Sequence, residues 1–326
     1  MVVCNEVVWP FAMAPLCAAS APSCATFVCA NHAGEPIVVQ TKLGASNASA
    51  SGGTGSGMET VNAATTLVAA PRKLAATALK FPASLFNRHV FHVRASYFDE
   101  TAEIVKQLTS LGIKRIAVFY QNDSYGKAGL EGVTRALKPR GLEPAGLGTV
   151  ERNTVDVDAA VKSIMAQQPD AIVQISAYKA CAAFIRAARK AGFGGTFYNV
   201  SFVGTQALAN ELGADARGVV VSQVMPFPFA PTIPLAGEYL AAGKAAAGDK
   251  FDPNYSSMEG FVAAKTLVEG LRRAGNNPTP EALIGGLESM RDFNLGGFFV
   301  DFGGQKHTGS KYVDLVILTA DGHVRR

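Results

Sequence analysis

Residues 115–126 read RIAVFYQNDSYG, and this stretch decides the fold class. Its first half is apolar after Arg115 and rich in β-branched and aromatic side chains, which predicts a buried strand over residues 115–120. A polar turn follows, and a helical pattern then runs to about Lys138, where Pro139 and Gly141 close it. A strand, a turn and a helix in this order form the βα unit from which parallel sheets are built.

The same alternation of apolar strands and amphipathic helices extends on both sides of this unit. Upstream, Ser96 and Asp99 form a capping-box pattern that predicts a helix reaching Ser110, and Asp99 and Glu100 are interpreted as charges that complement its dipole. Downstream, residues 225–231 hold three prolines, which predicts a crossover. We therefore predict an α/β fold with parallel, doubly wound sheets. The further predicted strands are 145–150, 170–175, 196–200, 217–224, 297–301 and 312–318, and the further helices are 156–167, 178–191, 205–212, 233–247, 256–274 and 280–290.

The first 85 residues are a different kind of sequence. They carry few charged side chains and neither aspartate nor tyrosine, and the tract from Ala45 to Gly57 is almost entirely Ala, Ser, Gly and Thr. Such composition is typical of a flexible linker, because it offers little apolar surface to offset chain entropy. We find no sustained strand or helix period in residues 1–80 and predict one local helix over Thr60–Ala78. An export signal is not convincing, since the first basic residue is Lys42.

Three turns between a strand and a helix select the candidate site. In open parallel sheets, ligands bind beyond the carboxyl ends of the strands, where loop side chains converge. Aromatic rings supply apolar walls there, and hydroxyls or amides fix the orientation of a small polar ligand. For Asp123 and Ser176, a role as simple helix N-caps is the alternative. The predicted ligand-binding residues are Asn122, Asp123, Tyr125, Ser176, Tyr178, Ser201 and Phe202.

Composition and motifs argue against several other functions. The 30 Lys and Arg residues against 26 Asp and Glu give a net charge of +4 and are scattered, so no nucleic-acid partner is predicted. His89 and His92 fall on opposite faces of an extended run, and neither a metal nor a cofactor is predicted. The catalytic patterns G-x-S-x-G and H-E-x-x-H are absent, so an enzyme is not predicted. No apolar run of about 18 residues predicts a membrane span.

Several short motifs, taken in order, resemble one protein family. They are NRHVFHVR at 87–94, RIAVFY at 115–120, DSYG at 123–126, FIRAARKAG at 184–192, SFVG at 201–204, YSSMEG at 255–260 and VDLV at 313–316. Together they resemble the type I periplasmic binding proteins, in the branched-chain amino acid (Leu/Ile/Val-binding) class of ABC transporter substrate-binding proteins. The resemblance spans about residues 86–326.

This resemblance implies two lobes joined by three crossovers, which close on a ligand in the periplasm and present it to ABC permease subunits in the membrane. Tyr125, Tyr178 and Ser201 match family positions on one wall of the cleft. Members that bind amino acids often carry an acid where Ser201 stands, to pair the ammonium of the ligand. Serine at this position leaves the ligand open between an amino acid, an aromatic or aliphatic carboxylate, and an amide.

The resemblance also implies a division of the chain. Residues 113–225 correspond to the second ligand-binding lobe, 86–112 and 226–300 to first-lobe elements and crossovers, and 301–326 to C-terminal strands near the hinge. The family begins with several βα units of which residues 1–85 contain no recognisable version. We interpret residues 1–85 as a frameshifted or truncated remnant, or a replacement, of the first lobe, which is then incomplete.

Two other functions stay open at this point. A cytoplasmic small-molecule sensor would use the same fold, and a missing export signal would favour it. A nucleotide-dependent α/β enzyme would need a glycine-rich phosphate loop after one of the first strands, whereas the turn 122–126 contains one glycine.

Overall fold

A computed structural model describes residues 88–276 and 278–326 in full, together with the backbone of four N-terminal strands. These are β1 (Val3–Asn5), β2 (Cys24–Ala30), β3 (Pro36–Lys42) and β4 (Thr65–Leu67), which form one sheet in this order. β1 is parallel to β2, and the other two pairs are antiparallel.

Two predictions for the N-terminal segment are therefore wrong. Residues 1–80 do contain strands, and the predicted helix over Thr60–Ala78 gives way at Thr65–Leu67 to a strand that pairs with β3. The rest of that helix, and the tract from Ala45 to Gly57, lie outside the described residues. β2 and β3 are rich in Val, Ile, Thr and Phe, the residues that favour strands, but the surrounding small residues obscured this pattern.

A seven-stranded sheet forms the centre of the described chain, in the order β13-β12-β9-β8-β7-β5-β6. The strands from β6 to β9 are parallel, whereas β12 is antiparallel to β9 and β13 is antiparallel to β12. A separate antiparallel pair is formed by β10 and β11. The strands are β5 (Ile116–Gln121), β6 (Leu147–Val150), β7 (Ala171–Ile175), β8 (Thr196–Asn199), β9 (Val220–Gln223), β10 (Phe293–Asn294), β11 (Phe299–Val300), β12 (Asp314–Leu318) and β13 (Val324–Arg325).

Helices connect these strands as the sequence predicts, with ends that move by a few residues. The α/β fold class with a mostly parallel sheet is confirmed. The helices are α1 (Tyr97–Ser110), α2 (Ser124–Leu137), α3 (Asp158–Met165), α4 (Tyr178–Lys190), α5 (Thr205–Leu212), α6 (Pro234–Ala247), α7 (Tyr255–Ala274) and α8 (Pro280–Glu288). None of the helices in the described part of the chain is long and apolar enough to cross a membrane.

Helices cover both faces of the seven-stranded sheet. Successive side chains of β5 point to opposite faces and pack against different helices. On one face, Val118 joins Ile104 of α1 and Val133 of α2, and all three are fully buried. On the other face, Phe119 stacks on Phe184 of α4 with ring centroids 4.2 Å apart. This second cluster continues to α7 and α8, so one apolar core links the sheet to the helices that follow the crossover.

The segment before α1 pairs with a segment near the C-terminal end of the described residues. His92 forms a parallel bridge to Thr308, the His92 amide donates to the His307 carbonyl, and the Gly309 amide donates to the His92 carbonyl, both at 2.7 Å. The chain then enters α1 through the predicted capping box, in which Ser96 and Asp99 satisfy each other's backbone amides. This entry positions Arg94 and Glu100 beside the strand ends.

Candidate functional site

The three predicted turns begin at one edge of the sheet. Tyr120 of β5 is in register with Ile175 of β7, and Gln174 of β7 is in register with Asn199 of β8. Because these parallel strands end side by side, the turns that follow them share this edge, which we call the carboxyl edge.

A buried carboxylate organises the turn after β8. Glu100 of α1 is fully buried and accepts three hydrogen bonds, from the Ser201 amide at 2.8 Å, the Ser222 hydroxyl at 2.6 Å and the Arg94 guanidinium at 2.8 Å. The guanidinium of Arg94 also donates to the Ser201 hydroxyl and lies 3.5 Å from Glu259 of α7. Glu100 and Arg94 therefore join α1, two strand ends and α7 at one point.

The charge of Arg94 is stabilised by its neighbours. Only 7% of Arg94 is exposed. Burial opposes its charge, but the carboxylates of Glu259 and Glu100 outweigh this effect and raise the pKa of Arg94 above its ordinary value. A permanently charged guanidinium with two carboxylate partners is a fixed part of the site.

Aromatic rings extend from this charged group along the carboxyl edge. The guanidinium of Arg94 lies 5.6 Å from the ring centre of Tyr97. The Tyr97 and Tyr125 rings are 5.2 Å apart, and the Tyr125 and Phe202 rings are 4.5 Å apart. These contacts give the edge an apolar wall beside a polar cluster, as small-molecule sites require.

Two adjoining hollows open beside this wall, and we call them together the cleft. The larger encloses about 280 Å³ between the start of α5, with Thr205, and the start of α7, with Tyr255 and Ser256. The smaller lies over Arg94 and Glu259, and Ser201 lines both. Burial, with a smaller effect of Asp314, raises the pKa of Tyr255, so its phenol is neutral and can donate or accept a hydrogen bond.

The predicted site residues divide between the cleft and its surroundings. Ser201 and Phe202 line the cleft, and Tyr125 lies behind Phe202, in contact with its ring. Among the described residues, the lining of these two hollows includes neither Tyr125 nor the other four predicted residues. Tyr178 begins α4 and packs against the larger core cluster, and Ser176 is 1% exposed just before it.

Asp123 and Asn122 have structural partners in the turn after β5. The Asp123 carboxylate accepts from the Gly126 amide at 3.1 Å and from the Gln121 amide nitrogen at 2.6 Å, so Asp123 is the N-cap of α2. Asn122 is exposed and donates to Glu151 at 2.7 Å. The contacts of Asp123 are thus those of a helix N-cap, the alternative that the sequence also allowed.

Sequence reasoning missed several residues of this site, which are Arg94, Glu100, Thr205, Tyr255 and Glu259. The interpretation of Glu100 as a helix-dipole charge is corrected, because its carboxylate turns inward to Arg94, Ser201 and Ser222. No signal near Glu100 could reveal this, since its partners come from distant parts of the chain. Within the described ranges, no group of three or more His, Cys, Asp or Glu side chains could hold a metal ion.

A cleft at the carboxyl edge of an α/β sheet, closed on its far side by helices from beyond a crossover, defines a two-sided small-molecule binding protein. The family described as periplasmic binding protein matches residues 46–323. The chain belongs to this family. The match begins upstream of residue 86, where the motif resemblance begins. A comparison with curated proteins finds no match.

Solved structures agree with this assignment. The chain is 31% identical to a possible leucine/isoleucine/valine-binding protein from Rhodopirellula baltica SH 1, covering 73% of this chain and 66% of the other, with a TM-score of 0.70. It is 34% identical to a substrate-binding periplasmic protein from Ralstonia solanacearum, covering 75% and 69%, with a TM-score of 0.68.

A more distant structure shows the fold alone. A branched-chain amino acid ABC transporter protein from Thermus thermophilus with bound valine is 18% identical over 73% of this chain and 66% of the other, with a TM-score of 0.65. The chain thus spans about two thirds of the length of the solved relatives it matches, from 66% to 69%.

Proposed function

We propose that this chain is the solute-binding component of an ABC-type importer and that it acts in the periplasm. Its ligand is a small amino acid-like compound, a carboxylate or an amide, and its partners are permease subunits in the membrane. The observation that carries the proposal is the cleft, because Ser201 and Thr205 line it from one side and Tyr255 and Ser256 from the other. A ligand held by both sides draws them together, which couples binding to a change of shape.

The two sides correspond to the proposed lobes. Residues 113–225 form the second lobe. Helix α1 lies within 86–112, but it packs on the second-lobe sheet, on the face that α2 also covers. Residues 226–300 contribute the opposite side of the cleft. Residues 301–326 lie near the hinge, and β12 among them pairs with β9. Residues 1–85 replace or retain part of the first lobe.

The ligand-binding role of the predicted residues is part of the proposal. Tyr125, Phe202 and Tyr178 supply aromatic surface, and Ser201 supplies a hydroxyl. Ser176 and the N-cap Asp123 support the turns that carry these side chains. Such a site binds and releases its solute unchanged.

A thermal-shift screen of the purified full chain tests this function. Amino acids, aromatic and aliphatic carboxylates and short amides at millimolar concentration should include a compound that raises the unfolding midpoint, because a ligand that binds only the folded state stabilises it. A screen without any such compound contradicts solute binding. A shift produced only by NAD or a sugar nucleotide would instead indicate a nucleotide-dependent enzyme.

A matched pair of variants locates the binding. Asn210 is exposed on α5 and lines the larger hollow, so Asn210→Trp should crowd the cleft and reduce the shift. Gln107 is exposed on α1 away from the cleft, so Gln107→Trp should leave the shift unchanged. Equal shifts in both variants would place the ligand elsewhere.

A further inference from the structure

The hydroxyl of Ser201 is held in one hydrogen-bonding direction. The Arg94 guanidinium donates to Ser201 Oγ, and a guanidinium has donors and no acceptor. Ser201 Oγ therefore accepts this bond and keeps its own hydrogen. Among the described residues Ser201 Oγ donates no hydrogen bond, and the carboxylate of Glu100 accepts from the Ser201 amide, from Ser222 and from Arg94.

Thr205, four residues further on, is held in the same way. The side-chain nitrogen of Gln223 donates to Thr205 Oγ1 at 2.6 Å, and both residues are buried, with 1% and 6% exposed. The threonine hydroxyl thus accepts from the protein and retains a hydrogen to donate. Ser201 and Thr205 both line the larger hollow of the cleft. Two hydroxyls on one wall are therefore set as donors.

We infer that the ligand presents a hydrogen-bond acceptor, a carboxylate or carbonyl oxygen, to Ser201 and Thr205, and that its ammonium, if it has one, does not lie there. This inference rests on the proposed function and adds the chemistry of the ligand at one wall. An ammonium only donates, so it would leave both hydroxyl hydrogens without an acceptor in a partly dehydrated site, which is costly. An acceptor oxygen satisfies them.

Two features strengthen the preference for an acceptor. A hydroxyl that accepts from a cation becomes a better donor, because successive hydrogen bonds polarise one another. The N-termini of α5 and α7 both border the larger hollow, and helix N-termini favour negative charge. Glu259 lines the smaller hollow and would attract a cation there, and Arg94, which is shared between Glu259 and Glu100, offsets this attraction only in part.

A serine at residue 201 thus offers the ligand a hydrogen-bond donor, whereas an acid at residue 201 would offer an acceptor. A carboxylate at residue 201 would accept from the ammonium of an amino acid. Ser201, with Arg94 behind it, donates instead. The preferred ligand has an oxygen where an α-amino acid has its ammonium.

Isothermal titration of the full chain with matched ligands tests this inference. Leucine and 4-methyl-2-oxopentanoate share a carbon skeleton and a carboxylate, but the second carries a carbonyl oxygen in place of the ammonium and the α-hydrogen. Phenylalanine and phenylpyruvate form a second such pair. In the pair that binds, we expect the 2-oxo acid to bind about tenfold more tightly, the effect of one net hydrogen bond. Tighter binding of the amino acid overturns this inference while solute binding stands. If the two compounds bind equally, the inference holds only when Ser201→Ala weakens both, because the shared carboxylate then lies at Ser201, and it fails when Ser201→Ala weakens neither. If none of the four compounds binds and the thermal-shift screen finds only ligands without a carboxylate or carbonyl oxygen, the inference fails and solute binding stands, whereas a screen without any ligand contradicts both.

Variants of the wall give a second, independent readout. Ser201→Ala should weaken the 2-oxo acid about tenfold and leave the amino acid nearly unchanged, whereas Ser201→Thr, which keeps the hydroxyl, should preserve the preference. Ser201→Asp should reverse it. Ser110→Ala, an exposed serine at the end of α1, is the matched control and should bind as the wild type does. A preference that survives both Ser201→Ala and Ser201→Asp would contradict the inference.

Discussion

The two ends of the strands in the seven-stranded sheet each carry an arginine–carboxylate pair, one exposed and one buried. At the amino edge, Arg115 and Asp170 form a bidentate ion pair at 2.7 and 3.2 Å, with side chains 56% and 40% exposed. At the carboxyl edge, Arg94 and Glu100 lie 2.8 Å apart, with side chains 8% and 0% exposed. The shortest distances are nearly equal, and the two pairs differ in burial and in the further partners of the buried one.

This difference decides what each pair does. Water solvates either partner of an exposed pair when the other is removed, so such a pair adds little to stability. A buried charge has no such alternative, and each partner depends on the other. The carboxyl edge therefore carries a charge network that fixes Ser201 in place, whereas the pair at the amino edge joins the starts of two neighbouring strands at the surface.

The largest expected change in the free energy of unfolding comes from removing the buried carboxylate of Glu100. Glu100→Gln keeps the size of the side chain but leaves Arg94 with Glu259 as its carboxylate partner, 3.5 Å away. We expect the free energy of unfolding to fall by about 3–5 kcal/mol, measured by urea denaturation. Asp170→Asn at the amino edge is the control and should have a much smaller effect, and equal losses would remove the distinction between the edges.

The burial of His92, two residues before Arg94, should make the stability of the fold depend on pH. The pKa of His92 is lowered from 6.5 to about 4 by burial and by Arg94 and His307. The unfolded chain takes up this proton near pH 6.5 and the folded chain only near pH 4, so stability should fall as pH drops through this window, by up to about 3 kcal/mol. Urea denaturation at pH 7.5 and 4.5 measures the loss.

Two histidine variants isolate this effect from the titration of carboxylates. His92→Gln should show a smaller loss between the two pH values than the wild type. His89→Gln, which changes an exposed histidine nearby, should keep the full loss. If the two variants respond alike, His92 is not the source.

Close packing at the carboxyl edge predicts a third, intermediate effect. A Cβ atom on Gly126 would lie 1.9 Å from the backbone oxygen of Gln121, so Gly126→Ala must displace the turn that carries Tyr125. We expect a loss of about 1–3 kcal/mol or more in the free energy of unfolding. Gly194, near the amino edge, has open space around it, so Gly194→Ala should be tolerated in the same thermal or urea assay.

The smallest effect concerns aromatic pairs. A double-mutant cycle with Tyr125→Leu and Phe202→Leu should give a coupling energy of about 0.5–1.5 kcal/mol, and Phe202→Leu should also weaken ligand binding. Phe193 and Phe197 form a comparable pair near the amino edge, 4.9 Å apart. Phe193→Leu should lower stability without changing the dissociation constant, and a loss of affinity there would contradict the location of the cleft.

The sequence predicted those features that depend on local patterns. The strands and helices from residue 97 to 288 follow apolar periodicity and caps such as Ser96, and the shared edge follows from parallel strands. Candidate residues such as Ser201 and Phe202 followed from this topology, and their role in binding stays a prediction.

The missed features all depend on distant contacts. Glu100 looks like any acid in the first turn of a helix, and its burial is caused by Ser201 and Ser222, which follow it by about a hundred residues. Similarly, β2 and β3 become recognisable as strands through their pairing with each other. Pattern reasoning has no access to such partners, because it weighs each residue against its near neighbours in the chain.

The position of β12 has a consequence for how the chain acquires its structure. β12 covers the side of β9, yet it is synthesised long after β9. Until it arrives, the backbone amides and carbonyls along that side of β9 can pair with strands of other molecules. A nascent chain that has not yet produced β12 is therefore prone to aggregate through β9, and this exposure ends when β12 pairs with it.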